Sequence, residues 1–356
     1  MKKDKFKIPF FYPNITKKIR QAAYGALGQK TLTQGKTVLE FEKKLETVLG
    51  IKNVVSVNCG TSALELAYTL MDLGPGDEVI TPVFNFTGTN LLLARRGVKL
   101  VFADINENML LDWTDAAKKI TSKTRAIVNV CLFNQLSKAP KLSVPVIGDA
   151  AQYLGKTSGE KFTVHSFQAT KIITTVDGGA LVCADKEDYR RAKLLRWYGI
   201  DRETGKNNID VDIFEAGYKY HMNNVTAAMG LAALSDLAMA RARISQLQEG
   251  YQRGLKDIPG LKPVGGSPFL IHVKNRERLI KKLATKGIET GFGQRRNDSY
   301  AVFGEKRLNL PNMNKYENTY LLLPCRPNMT SKDIGYICNV IKKYADKIKF
   351  RMREKT

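Results

Sequence analysis

Apolar residues fall along this chain in short blocks, and stretches of helical period separate several of them. Largely apolar blocks at 54–59, 78–82, 99–105, 126–133, 144–150, 164–168 and 179–184 read as strands buried on both faces. Strands alternating with helices predict an α/β fold. The expectation is a mainly parallel seven-stranded sheet with helices on both faces, its ligands gathered outside the C-terminal strand ends. A helical pattern over 224–255 carries the chain out of this sheet. Pro259, Gly260, Gly265, Gly266 and Pro268 then mark turns that open a smaller α/β domain with helices over 275–286 and 331–344. The expected division is 1–250, including an N-terminal arm, and 251–356. No internal repeat or low-complexity region interrupts the pattern.

Candidate chemistry lies at the ends of these blocks. Asp149 closes the 144–150 run, and Lys171 occupies a turn between the last two runs. Gly60, Thr61 and Ser62 follow the first run and open a helix, where free backbone amides cradle phosphate. Each feature has an ordinary alternative: a solvated lysine, a strand-end aspartate that caps a turn, a helix cap. Together, and in this order, they supply what pyridoxal phosphate needs. These needs are an amine for a Schiff base, a carboxylate that keeps the pyridine nitrogen protonated, and donors for the phosphate.

With those residues in place, the chain resembles the DegT/StrS-type nucleotide-sugar aminotransferases, which are fold-type I pyridoxal phosphate enzymes. The resemblance runs from Ile8-Pro-Phe, through Leu32-Thr-Gln-Gly and Val38-Leu-Glu-Phe-Glu, to Leu323-Pro. It implies that Lys171 forms the Schiff base and moves protons, that Asp149 pairs with the pyridinium, and that Gln152 lies near the ring hydroxyl. Gly60, Thr61, Ser62 and Ser166 would hold the phosphate, and Phe86 would stack on the ring. The segment 217–230 matches a motif that reaches into a neighbouring subunit's site, so the resemblance implies a homodimer with Lys219 and Asn224 near the partner's cofactor.

This sequence also departs from the pattern. Lys219 stands where many relatives have Asn, His221 where they often have Arg, and Cys131 where they commonly have His. Lys219 reads equally as a surface charge, Asn224 as an N-cap and Cys131 as a packed thiol. Arg295 takes the place of a His that helps hold the sugar or nucleotide. Arg295 and Arg296 together could grip a diphosphate or simply be solvated.

Members of the family that dehydrate sugars carry His in place of the lysine, so Lys171 argues for transamination. The expected reaction passes an amino group from L-glutamate to a nucleotide-linked keto-deoxysugar, with a 4-keto-6-deoxyhexose first and a 3-keto sugar second. A non-catalytic cofactor-binding regulator would be expected to lose Lys171 or Asp149. A desulfurase would need a cysteine on a mobile Gly/Ser-rich loop, and neither Cys325 nor Cys338 has one.

Composition narrows the class further. At 356 residues and 43% hydrophobic content the chain can bury a large core. It has no long apolar run and no signal-like N-terminus, so a cytoplasmic protein without a membrane span is expected. Five cysteines without paired ligand spacing suggest reduced thiols and no metal. The net charge of +23 invites a nucleic-acid reading, with basic residues at Lys2, Lys3, Lys5 and Lys7 and over 342–353. No nucleic-acid motif accompanies them, and steering of an anionic nucleotide sugar is the simpler role.

Overall fold

The seven apolar runs form one sheet in the computed structural model, which describes residues 6–157, 159–202, 211–304 and 306–353, with side chains as far as Tyr344 in the last helix. Lys2, Lys3 and Lys5, and the basic side chains beyond Tyr344, lie outside the described residues. The strands are β1 (Val54–Val57), β2 (Glu78–Pro82), β3 (Lys99–Ala103), β4 (Thr124–Val130), β5 (Val146–Asp149), β6 (Phe162–Ser166) and β7 (Gly179–Cys183). They stand in the order β1-β7-β6-β5-β4-β2-β3. From β3 through β6 every pairing is parallel, while β7 runs antiparallel to both β6 and β1.

Helices α1 (Lys17–Leu27), α2 (Lys36–Leu49), α3 (Gly60–Leu70), α4 (Thr87–Arg95), α5 (Trp113–Lys118), α6 (Lys186–Leu195) and α7 (Asn224–Ser235) accompany the sheet. In α2 the apolar residues Val38, Phe41, Leu45 and Leu49 recur at three- and four-residue spacing and are buried, and Gly50 ends the helix at φ 63°. Helix α3 is apolar nearly all round because it packs directly against the sheet.

The expected single helix over 224–255 is two. It breaks at Asp236 into α7 and α8 (Leu237–Leu255), which meet at a 56° bend. Neither Pro nor Gly marks the break. Each half answers to a different core: Ala227 and Ala233 of α7 pack with α1 and α2, whereas Ile244, Leu247, Tyr251 and Leu255 of α8 pack into a second apolar cluster. The expected boundary after 250 therefore falls inside α8. No single helix among the described residues is long and apolar enough to cross a membrane.

The second cluster is built on a three-stranded antiparallel sheet of β8 (Leu261–Gly265), β9 (Phe269–Val273) and β10 (Tyr320–Leu323), ordered β10-β9-β8. Helices α9 (Arg276–Ala284), α10 (Pro311–Tyr316) and α11 (Ser331–Arg353) complete this part of the chain. Alternation along the strands divides their side chains between two cores. Phe269, Ile271, Leu321 and Leu323 join the second cluster, while Leu270, Tyr320 and Leu322 join the core of the large sheet. Asp104, just beyond β3, ties the halves further by accepting from Asn312 N and Met313 N at 2.8 Å, at the N-terminus of α10.

One buried ion pair locks α2 to the sheet. Glu42 Oε1 accepts from Arg196 Nη1 at 2.5 Å and from Ser56 N and Oγ at 2.8 and 2.7 Å, and Arg196 Nη1 also donates to Ser56 O at 3.0 Å. With Arg196→Leu the Glu42 carboxylate stays buried without its counter-charge. Urea unfolding should register a loss on the order of 3–5 kcal/mol, and a change below about 1 kcal/mol would mean that the pair is not a structural lock.

Candidate active site

A cavity of about 650 Å³ opens where the C-terminal ends of β4, β5 and β6 meet the start of α3 and the small sheet. Gly60, Thr61, Phe86, Asp149, Gln152, Ser166 and Lys171, separated by more than 100 residues in sequence, all line it. The parallel sheet brings them together because each follows a strand that ends on the same edge.

Asp149 ends β5 and is only 4% exposed. Burial pushes its carboxyl above the usual aspartate range. Three features oppose that shift: Thr89 Oγ1 donating to Oδ2 at 2.7 Å, Ala151 N donating to Oδ1 at 3.1 Å, and the charge of Lys171. Lys171 is held in its turn by its own N donating to Gln168 O at 2.9 Å. Its amine has no hydrogen-bond or ion-pair partner among the described residues. Burial pushes the Lys171 pKa down and Asp149 pulls it back up. The Lys171 amine thus gives up its proton more readily than a solvated lysine, beside a carboxyl whose hydrogen-bond donors and cationic neighbour oppose its protonation.

The start of α3 is fitted to its surroundings by glycines. A Cβ on Gly60 would lie 3.0 Å from Ser166 Cβ, and one on Gly179 would lie 2.6 Å from Gly60 N. The first turn of α3 therefore lies close against Ser166, and the amides of Gly60 and Thr61 have no acceptor within the helix. The cap is a sulfur: Cys59 Sγ accepts from Ser62 N at 3.4 Å. Gln152 Oε1 accepts from Phe133 N at 3.1 Å, and Gln152 O accepts from Asn134 N at 2.9 Å. These bonds hold Phe133 and Asn134 at φ 56°, a strained pair on the cavity wall. Phe86 is 55% exposed at the entry to α4, with its ring over Gly88.

The remaining expected residues stand elsewhere. The Ser62 hydroxyl is buried and donates to Asn58 Oδ1 at 2.6 Å, so the phosphate cradle has one side chain fewer than the motif suggests. Asn224 is not the N-cap of α7. That residue is Asn223, which accepts from Thr226 N at 2.9 Å. Asn224 is buried and donates to Thr31 O at 2.9 Å, while its Oδ1 has no partner among the described residues. Lys219 is exposed and does not line this chain's cavity. The paired grip of Arg295 and Arg296 is not available. Arg296 is 4% exposed and spent on Asp298, Asn314 and Leu308 O. Arg295 donates to Ser299 Oγ and O and lies over the Tyr300 ring. The loop reaches the cavity through Gly291, Phe292, Gly293 and Gln294 instead. Burial raises the Cys131 thiol to about 12, and it is a packed side chain.

Two residues that the sequence did not single out belong to the site. Thr89 holds Asp149, and among the described residues Arg326 is the one cation besides Lys171 on the cavity wall. The Arg326 guanidinium donates to Pro9 O at 2.9 Å and Asn328 Oδ1 at 2.6 Å, and its Nε has no partner. Thr89 lies 60 residues from Asp149 in sequence, so no local pattern links them. The combination of a helix start with free amides beside Ser166, a buried carboxylate and an amine without a partner among the described residues fits the phosphate, ring nitrogen and aldehyde of pyridoxal phosphate.

Comparison with known proteins agrees. The model of the DegT/DnrJ/EryC1/StrS aminotransferase family matches residues 13–342. The spore coat polysaccharide biosynthesis protein SpsC of Bacillus subtilis (strain 168) is 28% identical, over 94% of this chain and 96% of its own length. The crystal structure of the sugar aminotransferase CalS13 from Micromonospora echinospora superposes with a TM-score of 0.86 at 28% identity, covering 94% of this chain and 99% of its own. AtS13 from Actinomadura melliaura gives 0.87 at 29%, covering 94% and 98%.

The opposed shifts set a titration. In cofactor-free protein, acylation of Lys171 followed by peptide mass should rise with pH to a midpoint below that of surface lysines. Asp149→Asn removes the charge that holds the ammonium form, so its midpoint should fall further. A midpoint that rises in that variant would contradict the arrangement.

Proposed function

The chain belongs to the DegT/DnrJ/EryC1/StrS aminotransferase family, and on that premise we propose that it moves an amino group from L-glutamate to a nucleotide-linked keto-deoxysugar. The protein is a pyridoxal phosphate-dependent sugar aminotransferase; donor and acceptor are what the proposal adds. Its main support is that Lys171 and Asp149 share one cavity wall, each shifted by burial and partly restored by the other.

Pyridoxal phosphate bound here supplies an aldehyde that takes up amines and a protonated pyridine that draws off the electron pair left at a substrate carbon. Gly60 and Thr61 amides with Ser166 would hold its phosphate, Phe86 would cover one ring face, and Gln152 would meet the ring hydroxyl. Asp149, braced by Thr89, would keep the proton on the ring nitrogen. Lys171 Nζ would bind the cofactor, remove the donor's α-proton once displaced, and in the second half-reaction deliver a proton to the former keto carbon of the sugar. Arg326 lends the cavity positive charge that suits anionic substrates. A 4-keto-6-deoxyhexose is the first acceptor to try and a 3-keto sugar the second. A second copy of the chain, in a homodimer, would bring Lys219 toward the neighbouring cofactor.

The visible spectrum tests the donor. L-glutamate should bleach the yellow band of the purified holoenzyme and release 2-oxoglutarate; a band that glutamate leaves intact would rule out this donor. Lys171→Ala should bring turnover with any keto-sugar acceptor to background, and turnover near the wild-type rate would overturn the assignment.

A further inference from the structure

A fully buried polar cluster joins the substrate-side loop to the turn that carries Phe86. Thr81, Asn85, Asn90 and Asn297 are each 0% exposed. Thr81 Oγ1 donates to Asn90 Oδ1 at 2.9 Å and accepts from Asn85 Nδ2 at 3.1 Å. Asn90 Nδ2 donates to Asn85 Oδ1 at 3.1 Å and to Asn297 Oδ1 at 3.0 Å. Asn297, 212 residues from Asn85 in sequence, closes the cluster: its Nδ2 donates to Asn85 O at 2.9 Å and its N to Val83 O at 2.7 Å. Four amide and hydroxyl side chains in a dry core are costly unless each bond is made, and a satisfied network fixes direction in a way apolar packing does not.

The positions that this cluster touches matter for the site. Asn85 precedes Phe86, which is half-exposed, has no capping bond of its own, and so takes its place from the turn beneath it. Asn90 follows Thr89, which orients Asp149. On the other side, Asn297 stands three residues beyond Gln294, the last of the loop residues on the cavity wall, and next to Arg296, which Asp298 locks in place. We propose that Asn297 is a positioning residue that clips the sugar-side loop to the Asn85–Asn90 turn, and thereby sets both the Phe86 ring and the Thr89–Asp149 contact at the cofactor. The inference rests on the aminotransferase reading of the cavity. It makes Asn297 matter in the half-reaction that involves no sugar, although its loop lies on the substrate side.

Two variants and two measurements test it. In cofactor-free protein, Asn297→Ala should speed amide hydrogen exchange across 84–91. In the holoenzyme it should weaken the induced circular dichroism of the bound cofactor. The glutamate half-reaction should slow on the order of tenfold or more, as small misplacements of reacting groups do. An unchanged exchange pattern, dichroism and glutamate rate, at whatever melting temperature, would overturn the proposal. Should Asn297→Ala not fold, Asn297→Asp serves. Its neutral carboxyl can accept from Asn90 and donate to Asn85 O, whereas the ionised form can only accept. The dichroism of Asn297→Asp should then fall as pH rises through a range where the wild type is flat, and a flat profile would count against the clip. A wild-type protein that glutamate leaves unchanged would overturn the choice of glutamate as donor, whereas the exchange comparison tests the clip by itself.

Discussion

A carboxylate buried at the end of a parallel strand must be compensated, and much of the site's architecture serves that one requirement. Asp149 sits where β5 ends between β4 and β6, out of reach of bulk water. Its two oxygens take a hydroxyl from Thr89 and an amide from Ala151, and Lys171 supplies the counter-charge. That Thr89 can reach it depends on where α4 starts. The start of α4 depends in turn on β2 and on the asparagine cluster below it. A group that is expensive to bury is tolerated because its neighbours are placed to satisfy it.

The smaller sheet contributes by placing apolar side chains of β9 and β10 on both of its faces. Leu270, Tyr320 and Leu322 pack into the large core while Phe269, Ile271, Leu321 and Leu323 pack into their own, so the cavity wall contributed by this half is seated on both sides. The N-terminal segment closes the same wall. Ile8 pairs with Ile288, Phe10 N donates to Glu289 Oε2 at 2.8 Å, and the Phe10 ring fills the space that a side chain at Gly291 would need. Arg326 reaches back to Pro9 O. Residues from both ends of the chain thereby shape one rim.

Charge follows the same economy. Among the lining residues Lys171 and Arg326 are the cations and Asp149 and Asp177 the anions. Arg296, adjacent to the rim, is paired in the core with Asp298 and Glu317. Most of the net charge of +23 lies outside the cavity.

The sequence by itself determined the seven-stranded α/β sheet, the strand ends that carry Asp149 and Ser166, the glycine turn before α3, and the lysine in its turn. These features are local: an apolar run long enough for a strand, a glycine where a backbone must be approached, and an acid or an amine at the edge of a run. It could not distinguish a free side chain from a committed one. Ser62, Asn224 and Arg296 match binding positions by type, and each makes a hydrogen bond within its own chain, with Asn58, Thr31 and Asp298 respectively. The break at Asp236, the hold of Thr89 on Asp149 and the clip from Asn297 to Asn85 were likewise invisible, because each depends on which core or partner is met across 60 to 212 residues. Tertiary structure alone decided them, since a hydrogen bond requires its partner within about 3 Å in space and places no condition on distance along the chain.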